Sequence, residues 1–240
     1  MGLLRKSCVL LIVLLLFGCA KKAAPEDAIE FDKSAAQQNQ EADALENGEL
    51  VITDKAAYVF KNVLYGCASY KNEGKTSLLL SEAEFSFSYA GRVFESTVAP
   101  VSGESDIVLP GETAYCTLWL PVDAALDSSE PELMVKLKAK PATKPRLELG
   151  VADARLIENY PGFATLSGKL FNPGTVVCEL NMVYAGFYDK DGALLGVWYF
   201  TRNALLKPGD AVAFVVHLRP LPIKDLALNT AQIRMRAFGL

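Results

Sequence analysis

One histidine and five cysteines are the residues of this chain whose chemistry would stand out. A catalytic histidine needs a nucleophile and an orienting acid beside it. His217 lies in an alternating run at 214–218, and the chain has no GxSxG motif. We therefore expect His217 on a solvent-facing side of a strand or at a sheet edge. We expect no catalytic residue, and a single histidine excludes a His-rich metal site.

Two short patterns look like ligand loops, and both are interpreted as turns. Asp189 and Asp191 stand two residues apart, whereas a calcium loop needs further acids at alternate positions and a distant glutamate. Gly74-Lys75-Thr76 looks like the end of a phosphate-binding loop, but the earlier glycine is replaced by Ser69 and no helical pattern follows. The sequence therefore predicts no metal or cofactor site.

The first 20 residues predict export and lipidation. Arg5 and Lys6 precede an uncharged apolar run at 8–17, which is shorter than the ~20 residues of a transmembrane helix. The run leads into Gly18-Cys19, and residues 16–19 resemble the lipobox of bacterial lipoproteins. The resemblance implies that residues 1–18 are a signal peptide and that Cys19 is lipidated. An ordinary signal peptide with an incidental cysteine is the alternative.

Residues 19–48 are interpreted as a flexible acidic tether, because they are rich in Ala, Gln and acids and poor in aromatics. More than one acyl chain on Cys19 would give stable anchoring, so the membrane itself is an expected partner. Ala20, rather than Asp, follows the cysteine and favours the outer membrane in a cell with two membranes. We expect anchoring in the cell membrane or outer membrane, facing the periplasm or the cell exterior.

Three cysteines remain beyond the tether, at Cys67, Cys116 and Cys178. With no CxxC spacing, a zinc ribbon or thioredoxin-like motif has no support. An exported protein permits disulfides, and a Cys67–Cys116 bond is possible because both lie on candidate strands of one half of the chain. Side-chain alternation puts Cys116 in phase with Leu118 but Cys67 out of phase with Leu64, which favours buried free thiols. Both alternatives stay open.

The rest of the chain contains a repeat of about 100 residues. Asn72 aligns with Asn172 at an offset of 100, and Gly111 aligns with Gly209 at an offset of 98. Five such matches follow one another in order. The sequence predicts two domains, at 49–141 and 146–240, joined by a proline-containing linker.

Each repeat reads as short strands separated by turns. The segment 232–238 places Ile233, Met235 and Ala237 on one face and Gln232, Arg234 and Arg236 on the other. That alternation is typical of a half-buried antiparallel strand. Six or seven such strands per repeat predict an all-β fold of two tandem immunoglobulin-like antiparallel β-sandwiches.

The second repeat resembles the FxLYD-type domain of bacterial envelope proteins. The resemblance rests on residues 168–172 (GKLFN), 185–189 (AGFYD), Gly192 and 206–210. Ala185 stands where the family has its signature phenylalanine, and the Phe-Tyr-Asp core that follows is kept. The resemblance implies an immunoglobulin-like sandwich and no catalytic or cofactor-binding residue.

The segment 194–200 (LLGVWYF) is apolar in both strand phases. Only one face of a sandwich strand points into its own core. The other face is covered by the sister domain or the linker, or it is an exposed partner-binding patch of Trp198, Tyr199 and Phe200.

Composition bounds the function. A formal net charge of -4 and a pI near 5.2 argue against a nucleic-acid binder. We expect a non-enzymatic, membrane-anchored binding or envelope-assembly module whose partner is an envelope or extracellular protein or a glycan. A small-molecule carrier or sensor, with its ligand held between the two domains, is the alternative.

Overall fold

The computed structural model of the protein describes residues 50–123, 126, 130–160, 163–218, 223 and 225–240. The predicted signal peptide at 1–18, the lipidation site Cys19 and the tether at 19–48 lie outside the described residues. Within the described residues the chain is almost entirely β, and all strand pairs are antiparallel. The predicted all-β fold of antiparallel sandwiches is confirmed.

The described strands are β1 (Leu50–Phe60), β2 (Val63–Asn72), β3 (Leu78–Tyr89), β4 (Arg92–Val98), β5 (Ile107–Val108), β6 (Thr113–Pro121), β7 (Glu132–Pro141), β8 (Leu147–Tyr160), β9 (Phe163–Phe171), β10 (Cys178–Tyr188), β11 (Leu194–Leu206), β12 (Ala211–His217) and β13 (Gln232–Gly239). A short helix, α1 (Leu226–Asn229), precedes β13. None of the described helices is long and apolar enough to cross a membrane.

The first sandwich consists of the sheet β1-β2-β6 packed on a sheet in which β3 is flanked by β7 on one side and by β4 and β5 on the other. Alternate residues of β2 and β3 point between the two layers. Leu64, Tyr70, Phe85 and Phe87 are fully or almost fully buried there. At about 25 cal/mol per Å² of apolar surface removed from water, such side chains supply most of the driving force for folding.

The second sandwich is one sheet in hydrogen-bonding order, β11-β10-β13-β8-β9-β12, folded on itself at β8. Residues 147–149 of β8 pair with β13, and residues from 150 onward pair with β9. The layer β11-β10-β13 therefore faces the layer β8-β9-β12. Leu166, Val183, Phe187 and Phe214 fill the space between them.

The two sandwiches are closed by the same asparagine-centred turn. Asn72 Nδ2 donates to the carbonyls of Thr76 and Val108, and Asn172 Nδ2 donates to those of Val176 and Leu206, at 2.7–2.9 Å. Both asparagines are buried, so these bonds satisfy carbonyls that have lost contact with water. The shared turn explains why the sequence repeats most clearly at this point.

The matching loop of each sandwich lies against this asparagine. Gly111 and Gly209 donate their N–H to the carbonyls of Asn72 and Asn172, at 2.7 and 2.9 Å. Both glycines have positive φ, 76° and 82°, which other residues adopt only with strain. The Pro-Gly-acid pattern of the sequence is therefore a structural turn signal in both halves.

Candidate functional site

Strands β2 and β10 are buried on both faces, which shows where the two sandwiches meet. In β2, Tyr65 and Cys67 face away from the first core, and in β10, Tyr184 and Tyr188 face away from the second. These outward residues pack against each other. We call this contact, between the outer face of β1-β2-β6 and the outer face of β10-β11-β13, the seam.

The seam is packed closely enough to require a glycine. A Cβ added at Gly186 of β10 would come within 2.5 Å of the Tyr115 ring. The Tyr188 hydroxyl lies 3.4 Å from the Tyr115 hydroxyl, and the Trp119 and Trp198 rings meet edge to face at 6.5 Å. Aromatic pairs of this geometry add to the stabilisation that burial provides.

The seam also protects the outer edge of the second sandwich. The buried hydroxyl of Tyr65 donates to the Val197 carbonyl at 2.8 Å and accepts from the Val197 N–H at 2.9 Å. The Leu194 N–H donates to Asp54 Oδ2 at 2.5 Å. Because β11 is a terminal strand, these groups would otherwise be unpaired, and the first sandwich satisfies them.

A buried ion cluster crosses the seam. Arg236 Nη1 lies 2.7 Å from Asp106 Oδ1, and these residues are only 5% and 1% exposed. Arg236 Nε donates to Glu112 Oε1 at 3.1 Å, and Arg146 Nη1 donates to the same carboxylate at 2.7 Å. The Tyr184 hydroxyl donates to Asp106 Oδ2 at 3.3 Å.

Neighbouring groups in this cluster determine which of its members are ionised. Burial by itself lowers the pKa of Arg236, but the charges of Asp106 and Glu112 outweigh it and raise that pKa above its ordinary value. Burial and then the charge of Asp106 raise the pKa of Tyr184. At neutral pH, Arg236 is therefore charged and Tyr184 is a neutral donor. The expectation that Arg236 lies on a half-buried strand's outward face needs correcting, since the seam covers that face.

Of the two alternatives for Cys67 and Cys116, the structure contains the buried free thiols and not the disulfide. Cys67, Cys116 and Cys178 are free thiols in the structure, and all three are buried. Cys67 lies opposite Thr117 and Cys116 lies opposite Ala68, so the two cysteines project from opposite faces of the same sheet. A disulfide requires Cβ vectors that point toward each other. The alternation argument for buried thiols therefore agrees with the geometry.

The residues Trp198, Tyr199 and Phe200 do not form one exposed patch. Trp198 and Phe200 are half-buried, and their rings pack against Trp119 and Phe214. Tyr199 is on the opposite face of β11 beside Tyr184, and it is 36% exposed. The contact with Trp119 corresponds to the alternative in which the sister domain covers this strand.

The remaining candidate residues have local roles. Asp189 Oδ1 accepts the N–H groups of Asp191 and Ala193, which is a side-chain-stabilised turn. His217 is exposed at the end of β12, with Nδ1 3.2 Å from Thr165 Oγ1. Among the described residues, no group of three or more His, Cys, Asp or Glu side chains is placed to hold a metal ion.

A narrow crevice opens beside the seam, between β6, the segment 98–101, Tyr184 and Tyr199. Its volume is about 20 Å³, which is room for about one water molecule. The two sandwiches are thus closely packed at this point and leave no space for a ligand larger than a water molecule.

On the other broad surface of the second sandwich, several described side chains are exposed. This surface is the outer side of β8-β9-β12 and carries Ile157, Phe163, Val215 and His217. We call it the free face. The three apolar side chains are 55%, 52% and 64% exposed. This surface of the second sandwich corresponds to the seam-facing surface of the first. In the first sandwich Tyr65 of β2 pairs with Trp119 of β6, and at the equivalent positions of the second Thr165 of β9 pairs with His217 of β12.

Sequence reasoning did not find the ion cluster, although one signal pointed to the seam. Strand β2 reads VLYGCASY and β10 reads NMVYAGFY, with few charges in either phase. An antiparallel strand that is apolar in both phases is covered on both faces. Asp106, Glu112, Arg146 and Arg236 carry no comparable signal, since isolated charges are ordinary on a protein surface.

The comparisons with known proteins leave the family open. No protein-family model matches the chain, and no curated protein matches it. Red sea bream transglutaminase is similar at 11% identity and a TM-score of 0.24, over 88% of this chain and 34% of that one. A structure named pT26-6p is similar at 6% identity and a TM-score of 0.20, over 86% of this chain and 68% of that one. The chain thus spans about a third of the transglutaminase.

Replacing Arg236 should destabilise the protein strongly. Arg236→Met leaves Asp106 buried without its cation, and we expect the free energy of unfolding in urea to fall by about 3–5 kcal/mol. Arg234→Met is the matched control, because Arg234 is exposed on the same strand, lies over the Tyr188 ring and donates to Gln232. Its cost should stay under about 1 kcal/mol. Equal losses in the two variants would contradict a buried ion cluster.

The buried acids of the seam should make the protein sensitive to alkali. Burial raises the pKa of Cys67 from 9.0 to about 12 and that of Tyr58 from 10.0 to about 12. The folded protein keeps protons that the unfolded chain releases, so this stability is complete below the unfolded pKa values and is lost as pH rises through the folded ones. We expect the free energy of unfolding to decline from about pH 9 upward.

Urea titrations between pH 7 and 11 measure this decline, and Cys67→Ala should make it shallower. In a Cys116→Ala, Cys178→Ala background, Cys67 should react with a thiol reagent at pH 8 only after unfolding. Rapid reaction of the native protein, or stability that is constant to pH 11, would show that the seam is open.

Proposed function

We propose that the protein is a lipid-anchored, non-catalytic binding or assembly module of the bacterial envelope. The observation that carries this proposal is the seam, which fixes two sandwiches as one rigid body while the free face of the second stays exposed. Rigid presentation of an apolar surface lowers the entropic cost of binding a partner. No reaction is part of the proposal.

Anchoring rests on the amino-terminal sequence. A lipidated Cys19, followed by the acidic tether at 19–48, would hold the body near a membrane while allowing it to reach a partner. The resemblance of the second repeat to FxLYD-type domains supports an envelope location.

The free face is the proposed partner-binding surface. Its apolar residues Ile157, Phe163 and Val215 are each more than half exposed, and strand pairing places the polar Thr165 and Ser167 of β9 between Ile157 and Val215. Exposed apolar side chains set among polar ones can anchor a partner protein. The corresponding face of the first sandwich already binds another β-sheet across the seam. The carrier alternative has less support, because the crevice beside the seam holds only about 20 Å³.

The anchor predicts a specific change in fractionation. Cys19→Ala should move the protein from the membrane fraction to the soluble fraction of lysed cells, because the thiol that carries the lipid is gone. Cys8→Ala is the matched control, since Cys8 lies inside the predicted signal peptide, and it should stay with the membranes. Membrane retention of the Cys19→Ala protein after cleavage of residues 1–18 would contradict lipid anchoring.

The free face predicts where a partner is captured. A photo-cross-linking amino acid at position 163 should capture an envelope protein or glycan on intact cells. The same amino acid at position 93 is the control, because Val93 of β4 is 62% exposed but lies on the first sandwich, away from the free face. Products at position 163 that do not exceed those at position 93 would exclude the free face as the binding surface.

A further inference from the structure

Strand β12 is a terminal strand of the second sandwich, and among the described strands only β9 pairs with it. It runs from Ala211 to His217 with no charged residue, proline or glycine, and it pairs with β9 over its whole length without a register shift. No other described strand pairs with its second edge. A terminal strand with no bulge and no charge is a template for pairing with another strand.

The hydrogen-bonding phase shows which backbone groups face outward. Leu218 N–H donates to the Ala164 carbonyl, and Asn172 N–H donates to the Asp210 carbonyl. Bonded pairs alternate along an antiparallel ladder, so Phe214 and the other even-numbered residues are bonded to β9. The N–H and C=O groups of Ala211, Ala213, Val215 and His217 therefore point to the open edge.

Other terminal strands of the described chain have the devices that normally block such pairing. Strand β1 has a bulge beside Asp54, β4 begins with Arg92, and β7 has lysines at 136, 138 and 140. The edge of β11 is satisfied by Tyr65 and Asp54. The segment 98–101 and Tyr199 lie beside β6. Strand β12 differs from each of them.

We propose that β12 pairs antiparallel with β12 of a second copy of this chain, around a two-fold axis at Phe214. In this register Ala211 lies opposite His217 of the partner, and Ala213 lies opposite Val215 of the partner. Both pairs join residues whose N–H and C=O groups face outward, so every one of these groups finds a partner. The edge is thus complementary to itself, as a two-fold contact requires.

Charge is compatible with the same arrangement. No like charges meet along β12, because the strand has none. Asp210 precedes the strand and His217 ends it, so antiparallel pairing brings the acid of one copy next to the imidazole of the other. The exposed Val215 gains a cross-strand neighbour, and such pairs stabilise sheets.

The expected dimer is weak in solution and favoured at a membrane. One strand pair buries far less than the ~1,200 Å² of a stable interface. Dimerisation at a membrane rests on the proposed function, since lipid anchors would confine the copies to one surface and raise their effective concentration. Pairing would join the two free faces into one continuous surface.

Cysteine cross-linking of the full-length lipidated chain on phospholipid vesicles tests the pairing. A mixture of Ala213→Cys and Val215→Cys proteins should form a mixed disulfide dimer under mild oxidation, with a yield at least ten times that of a Val93→Cys control of equal exposure. Adding Val215→Lys to the Ala213→Cys chain, mixed with the same Val215→Cys partner, should remove the dimer. Val93→Lys in that chain should leave it intact.

Three results would overturn the inference. They are a dimer that Val215→Lys leaves intact, cross-linking no better than at position 93, or a different protein bound along β12 on cells. Each can occur while the Cys19→Ala fractionation result and capture at position 163 stand, so failure of the dimer is distinct from failure of the proposed function.

Discussion

The buried pair of Arg236 and Asp106 determines how the two sandwiches sit together. Removing both charges from water is costly, and the cost is offset only when the ions meet with good geometry and their remaining hydrogen bonds are satisfied. Glu112, Tyr184 and the Ile107 carbonyl complete that set at the seam. A shifted arrangement that kept the contact closed would leave a buried charge unpaired, so the cluster favours one orientation of the two sandwiches.

The two repeats diverge where their surroundings differ. Tyr65, Tyr115 and Trp119 face the seam in the first sandwich, and strand pairing makes Thr165, Ala213 and His217 their counterparts in the second. At these three positions, aromatic residues stand in the first sandwich, where a sheet covers them, and smaller or polar residues stand in the second, where they lie on the free face. The buried asparagine turns, in contrast, are the same in both halves, because each must satisfy the same backbone groups. The two repeats therefore share the asparagine turn that closes each sandwich and differ in the side chains on the outer face.

Much of the fold could be predicted from local patterns. Alternation in 232–238, the turn residues at Gly111 and Gly209, and the offset of Asn72 from Asn172 indicated two all-β units, and β13 lies on the expected segment. The candidate site was harder, because Trp198 and Phe200 were apolar for a reason that spacing does not reveal. Their neighbours Trp119 and Phe214 lie far away in sequence, or across a turn, and only folding brings them together.

The sequence by itself determined what depends on near neighbours: strand periodicity, turns, and the signal that predicts a lipid anchor. The tertiary structure decided which outward faces are covered, which cysteines can meet and which charges are buried. Cys67 and Cys116 are close in the sheet yet project from opposite sides, and Arg236 meets Asp106 across 130 residues. Such partners depend on how two complete sheets dock, and no local pattern encodes that contact.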